Sequence, residues 1–219
     1  MSGFLDLLRQ IQELGGPVVL LLLAISIVTL AVVLYKFWQF NAAGVGRHKA
    51  LQNAISAWDH GDRASARDHL NKSRSYLAPV IEMSISAQDI SKTRLEAEAE
   101  VRFEKLERGF RFLDSVAQLA PLLGLFGTVL GMIEAFQSLQ EAGAQVDPSL
   151  LAGGIWVALL TTAVGLVVAM PTAMALSWME GRMDGERVLA GRAIETIRSP
   201  GGATTDQTFV TEGALNAAT

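Results

Sequence analysis

The 219-residue chain contains no cysteine. Disulfides, thiolate zinc sites and cysteine nucleophiles are therefore excluded. Histidine is scarce: only His48, His60 and His69 occur, in a charged stretch with no second ligand at helical spacing, and they read as solvated surface residues rather than a metal site. No Gly-x-x-x-x-Gly-Lys loop is present to cradle a nucleotide phosphate, and no nucleophile stands with a base. The expectation is a protein that is not an enzyme and carries no cofactor. Charge is thin as well, with 18% of residues charged against 50% hydrophobic and a mean hydropathy of +0.32. That balance is too apolar for a soluble domain with a wet surface and points to the membrane class. The net charge of −4 gives no sign of a nucleic-acid partner.

Long uncharged runs fill the space that charge leaves. Between Asp114 and Glu134 lie 19 residues without a charge, between Glu13 and Lys36 lie 22, and no charge falls between Asp147 and Glu180. Each run is long enough to cross the hydrocarbon core as a helix. The chain thus divides into a short interfacial helix (1–16, apolar at Phe4, Leu7, Leu8 and Ile11), a first span (17–40), a helical region (41–111), a second span (112–139), a loop (140–148), a third span (149–180) and a tail (181–219) with a disordered end. The first residues are not basic and no small-residue cleavage site follows, which argues against a signal peptide. Of 18 lysines and arginines, Arg9 alone precedes the first span, thirteen lie from Lys36 to Arg111 and four from Arg182 to Arg198. The positive-inside rule then puts the N-terminus and the 140–148 loop outside and the large helical region and C-terminus in the cytoplasm.

Within the helical region, breaks are expected at Gly44 to Gly46, at His60 and Gly61, and at Pro79, giving two or three short helices that need neighbours. Thr93 with Glu96 fits a capping box. From there a helical pattern, interrupted only by Gly109, runs to Leu139, a rod of about 70 Å at ~1.5 Å per residue. Glu98 with Arg102, Glu104 with Arg108 and Glu107 with Arg111 form pairs four apart, on a face read as solvated. In the spans, Gly124, Gly127 and Gly131 make one narrow bare face, and Gly154, Ala158, Thr162, Gly165, Ala169 and Ala173 continue a second one. Such faces let helix backbones approach closely in a membrane. Pro171 removes a backbone hydrogen bond and should kink the third span. Thr128 and Thr162 are hydroxyls in low dielectric, able to hold water or solvate a carboxylate, unless each simply bonds a carbonyl of its own helix. Glu134, at the end of the second span, is either a proton-gathering entrance or an ordinary solvated carboxylate.

The run Ala120-Pro121-Leu122-Leu123-Gly124-Leu125-Phe126-Gly127-Thr128-Val129-Leu130-Gly131-Met132-Ile133, followed by Gly154-Ile155, Ala158-Leu159-Leu160-Thr161-Thr162-Ala163-Val164-Gly165-Leu166 and Pro171, resembles the MotA/TolQ/ExbB proton channel family, closest to its ExbB and TolQ branch. The likeness extends from about Thr93 to Trp178, is weak over the first span and base, and is absent from the tail. It implies an all-α, three-span bacterial inner-membrane subunit that forms a ring of five around the single helices of an ExbD- or TolR-like partner carrying an intramembrane aspartate. Proton passage would drive a TonB- or TolA-like protein in outer-membrane uptake of a biopolymer or iron–siderophore, or in TolQ-like envelope maintenance. The resemblance places Thr128 and Thr162 at the pore, with Thr161 one position off toward a neighbouring subunit. In the family's Gly-Ile-x-Glu-Ala-Leu the fourth position is a glutamate, and here it is Val157. That departure puts relay through this subunit itself in question and keeps open a non-conducting scaffold. A small transporter is disfavoured, because no internal repeat or charged broken helix is visible.

Overall fold

The structure is a computed structural model that describes residues 2–86, 89–142 and 148–201, with backbone alone for 2–15, 142, 148 and 150. All regular structure among these residues is helical: α1 Ser2–Ala43, α2 Lys49–Asp59, α3 Arg63–Asn71, α4 Ala78–Ser86, α5 Lys92–Glu107, α6 Phe110–Ala142 and α7 Pro148–Arg198. Three helical stretches, Gly16–Ala43, Phe110–Glu141 and Leu151–Arg198, are long and apolar enough to cross a membrane. In the last, charge begins at Glu180, so the apolar part ends near Trp178. The tail end expected to be disordered and the middle of the 140–148 loop lie outside the described residues, as do the side chains of the interfacial helix.

The chain forms two compact units, one made of residues up to Lys36 with Gly109–Trp178, the other of Phe37–Arg108 with the chain from Met179. The first is the membrane unit. Val18 and Leu22 of α1, Val116 and Ala120 of α6, and Val168 and Ala169 of α7 form its buried cluster. Small residues at Ala120 and Ala169 let the larger ones reach across. Outward, Ile27, Leu30, Leu125, Phe126, Leu159 and Val167 are exposed, as expected of surfaces solvated by lipid. α1 is interrupted at Gly16, whose φ of 67° and ψ of −174° are not helical, and Pro17 then starts the apolar part. At the other end Lys36 is 2% exposed, with its ammonium 5.8 Å from the Phe110 ring.

The rod expected from Thr93 to Leu139 is two helices. α5 stops at Glu107, Arg108 turns to ψ 120°, and Gly109 takes φ 101°. Glu107 and Arg111 are thereby thrown out of helical register. Their expected pairing is replaced by Glu107 with Arg187, at 2.6 Å, whereas Glu98 and Arg102 pair as expected, at 3.4 Å. Only glycine adopts that φ cheaply, the cost for an L-residue being roughly 1–2 kcal/mol. Gly109→Ala is therefore expected to lower the thermal unfolding midpoint of the detergent-solubilised protein, with a methyl that would also meet Lys36 Cε at 3.4 Å. An unchanged midpoint would show that the elbow relaxes freely.

The second unit is built on the end of α7, a region the sequence suggests as mere tail. Met179, Met183, Glu186, Ala190, Ile194 and Ile197 are all buried, one helical face of a long continuous α7. Trp58 of α2 donates its indole N–H to the Ile197 carbonyl at 3.0 Å. Two further boundaries differ from expectation. α5 is capped by Ser91, which accepts from the Arg94 N–H, rather than by Thr93. Pro79 sits in the first turn of α4, where its missing N–H is harmless, so the break falls before it, at residues 72–77.

Candidate functional site

Glycines on α6 and α7 set how closely the two helices can meet. A methyl placed on Gly124 would stand 2.9 Å from the Thr161 carbonyl oxygen and 3.0 Å from Thr162 Cα; one on Gly127 would stand 2.7 Å from Thr161 Cβ. Gly131 rests over Ala158, Gly154 over Ala135, and Gly165 over the Ala120 carbonyl and Gly124 Cα. The two bare faces read from the sequence therefore meet each other within one chain. Ala169 of the same stripe belongs to the buried cluster with α1, while Ala173 is exposed. Backbone-to-backbone packing of this kind leaves no room for side-chain rearrangement, so the pair is held by dispersion contacts and hydroxyl bonds.

The hydroxyls differ in how firmly they are held. Thr161, expected toward a neighbouring subunit, is instead 2% exposed, wedged against Gly127. Spacings of three and four both keep a residue on one helical face, and here the shorter step from Ala158 points most directly at α6. Its Oγ1 donates to the Ala158 carbonyl at 2.7 Å, with the Gly124 carbonyl a second acceptor at 3.2 Å. Thr162, half-buried, makes a long bond to that same Gly124 carbonyl at 3.3 Å. One hydroxyl carries one proton, so Thr161 is anchored and Thr162 is the easier of the two to turn toward another acceptor. Thr128 donates to its own helix at Leu125 O, 2.7 Å, leaving its lone pairs to accept. Val157 is half-buried beside Ala158, and Glu134 is exposed, its carbonyl accepting from the Ser138 hydroxyl at 3.0 Å. α7 runs through Pro171, which has no N–H to offer the Val167 carbonyl.

A second polar cluster, in the other unit, escapes the sequence reading. Glu186 is 4% exposed, and its carboxylate accepts from His48 Nε2 at 2.7 Å, the Gly46 N–H at 2.9 Å and the Tyr76 hydroxyl at 2.7 Å. His48 is thus buried rather than solvated, with Nδ1 at 3.1 Å from Ser75 Oγ; His60 is exposed. Burial pushes the Glu186 carboxyl up, but the bonds from His48 and Tyr76 outweigh it and hold the group below its ordinary range. Burial and the bond to Glu186 push the Tyr76 phenol upward, so it stays a donor. The available signal was Glu186 standing on an otherwise apolar stripe, four residues before Ala190 and three after Met183.

Three apolar helices, two of them joined along a glycine seam that carries hydroxyls, define a multi-pass membrane protein whose polar chemistry lies between helices. The family model described as the MotA/TolQ/ExbB proton channel family matches residues 57–189, and the chain belongs to that family. A protein named ExbB-like 1 from Synechocystis sp. is 32% identical over 163 residues, 71% of this chain and 63% of the relative. Biopolymer transport protein exbB1 of Vibrio cholerae is 28% identical over 78% of this chain and 76% of its own length. Tol-Pal system protein TolQ of Haemophilus influenzae is 42% identical over 81 residues, 37% of this chain and 35% of its own.

Proposed function

We propose that the chain is an ExbB/TolQ-like subunit of a motor in the bacterial inner membrane, driven by the proton-motive force. Five copies form a ring around the single helices of an ExbD- or TolR-like partner, and the N-terminus faces the periplasm. The partner's aspartate takes up and releases the proton, because Val157 cannot titrate. The hydroxyls of Thr128 and Thr162 solvate that carboxylate as it changes charge, with Thr161 holding the wall and Glu134 at the periplasmic mouth. Motion passes to a TonB- or TolA-like protein and energises outer-membrane transport of a biopolymer or iron–siderophore.

The observation that carries this reading is Thr162, held by one long bond at the seam of two apolar helices in a proton-channel family member. The energetics suit it: one charge crossing 100 mV supplies about 2.3 kcal/mol, so a few protons can drive a rearrangement of helices held by dispersion contacts and a few hydroxyl bonds. The test is energised uptake in cells carrying Thr162→Val. Uptake is expected to fall to background while the ring and its partner still co-purify, and undiminished uptake would overturn the reading. Val157 favours one rival, a non-conducting scaffold. That rival requires the assembled complex to be indifferent to a protonophore and to Val157→Glu.

A further inference from the structure

Round the axis of α6, four kinds of surface follow one another. Gly124, Gly127 and Gly131 meet α7, and Val116 and Ala120 join the buried cluster with α1. Leu119, Leu122, Phe126, Val129, Ile133 and Phe136 are exposed and wholly apolar, as a surface solvated by lipid should be. The remaining sector flanks the glycine seam on the side away from α1. Asp114, Gln118, Pro121, Leu125 and Thr128 succeed one another there at steps of four, three, four and three, which keeps them within about 40° of one line.

This sector is the polar one. Gln118 donates its amide N–H to Asp114 Oδ1 at 2.7 Å, and Oδ2 has no hydrogen bond among the described residues. Both side chains are exposed. Pro121 has no N–H to offer the Ala117 carbonyl, so that acceptor lacks its helical donor. Thr128 spends its proton on the Leu125 carbonyl at 2.7 Å and keeps its lone pairs. Asp114 is the only ionisable residue of α6 between Arg111 and Glu134, and no charge falls between Asp147 and Glu180 in α7. Glu134, six residues past Thr128, lies about 120° round from it and marks the opposite end of the span. Asp114 lies 14 residues before Thr128, about 21 Å along the axis, and so stands at the membrane boundary when Thr128 is within hydrocarbon.

We propose that Asp114 is the carboxylate that receives the transported proton at the cytoplasmic end of the conduit. This assignment rests on the channel reading above, in which Thr128 solvates the partner's aspartate. The proton leaves that aspartic acid, which becomes a carboxylate, and is carried by water along the polar sector of α6 to Asp114. Because Gln118 occupies Oδ1, Oδ2 is the accepting atom. Asp114 is neutral while it holds the proton and regains its charge on releasing it to cytoplasmic water, so the chain ends the cycle unchanged.

Proton flux into proteoliposomes that hold the natural ring with its co-purified partner tests this, driven by a potassium–valinomycin potential and read by an internal pH dye. Asp114→Asn keeps size and shape and should lower the flux about a hundredfold, the contribution of a positioned proton-transferring side chain, with the partner still bound. Asp114→Glu should keep most of the flux. Ser115→Ala is the control, since Ser115 bonds the Arg111 carbonyl of its own helix, and should leave the flux unchanged. Thr162→Val in the same vesicles reports on the channel reading itself. If the natural and Thr162→Val rings conduct alike, that reading fails and this assignment with it. Flux lost in Thr162→Val but kept in Asp114→Asn overturns the assignment alone. So does an Asp114→Glu ring as slow as Asp114→Asn, or loss of the partner from the Asp114→Asn ring, which would make the carboxylate a docking group.

Discussion

Gly165→Ala is expected to be among the most damaging single methyl additions the membrane unit can receive. The new Cβ would stand 2.6 Å from the Ala120 carbonyl oxygen, 3.2 Å from Gly124 Cα and 3.4 Å from the Ala120 carbonyl carbon. All three obstacles are backbone, so no rotamer change relieves them and the helices must part. At Gly127 the obstacle is the side chain of Thr161, which trimming could remove; at Gly165 nothing can be trimmed. Parting also stretches the bonds of Thr161 and Thr162 to the Gly124 carbonyl, already 3.2 and 3.3 Å. Overpacking ordinarily costs about 1–3 kcal/mol, and in lipid no gain in apolar burial offsets it. The expected result is a thermal midpoint in detergent well below that of the natural protein, with energised uptake lost alongside. Gly153→Ala is the control, having nothing within 4 Å of its added methyl, and should leave the midpoint unchanged or slightly higher because alanine favours helix. Equal midpoints for the two variants would mean that α6 and α7 do not pack this closely.

The parts of this molecule legible in the sequence are those fixed by short-range rules. A gap in charge needs no partner to be read, and all three apolar runs are helices. The bare faces are legible too, because glycine at spacings of three and four has few uses in a membrane other than close approach; Gly124, Gly127, Gly131, Gly154 and Gly165 all meet the opposite helix. Which threonine enters the seam is not legible. Thr161 and Thr162 lie three and four residues beyond Ala158, and a 3.6-residue period accepts either step. Gly109 could be seen, but not its left-handed φ, since Gly181, Gly185 and Gly191 remain helical in α7. His48 was unreadable for a different reason. Its burial depends on Glu186, 138 residues away, and a lone histidine among charges carries no mark of so distant a partner.

Glu186→Ala should produce the largest loss in the second unit, formed by Phe37–Arg108 and the chain from Met179. The carboxylate is the common acceptor for three donors: the His48 imidazole, the Gly46 amide and the Tyr76 phenol. With the acid ionised, Nε2 of His48 carries the proton and cannot accept from the Gly46 N–H 3.1 Å away; without the acid, the other tautomer can accept there and donate from Nδ1 to Ser75 Oγ, which leaves the Tyr76 phenol as the donor without another acceptor among the described residues. Alanine removes all three bonds in a site where the side chain is 5% exposed, and each buried donor left without an acceptor costs about 1–3 kcal/mol, the loss of packing around the missing side chain adding to it. Glu186→Gln keeps one oxygen but turns an amide N–H₂ toward donors, so it should fall between alanine and the natural protein. Tyr76→Phe, which removes one of the three bonds, should cost least, about 1–3 kcal/mol. The pH dependence has a definite sign. The folded Glu186 carboxyl titrates below its ordinary 4.5, so the unfolded chain binds more protons in that window. Its contribution to stability is complete above about 4.5 and drains away as the pH falls toward the folded value. Asp62, Asp68 and Glu195, held low by Ser65, Lys72 and Lys92, add to the acid slope of the natural protein and remain in the variant. Unfolding of the full chain followed between pH 3 and 7 should therefore show a shallower acid limb for Glu186→Gln than for the natural protein, with the two curves parallel above about pH 5. Identical limbs, or an alanine variant as stable as the natural protein, would mean that the carboxylate does not join His48, Gly46 and Tyr76 in solution.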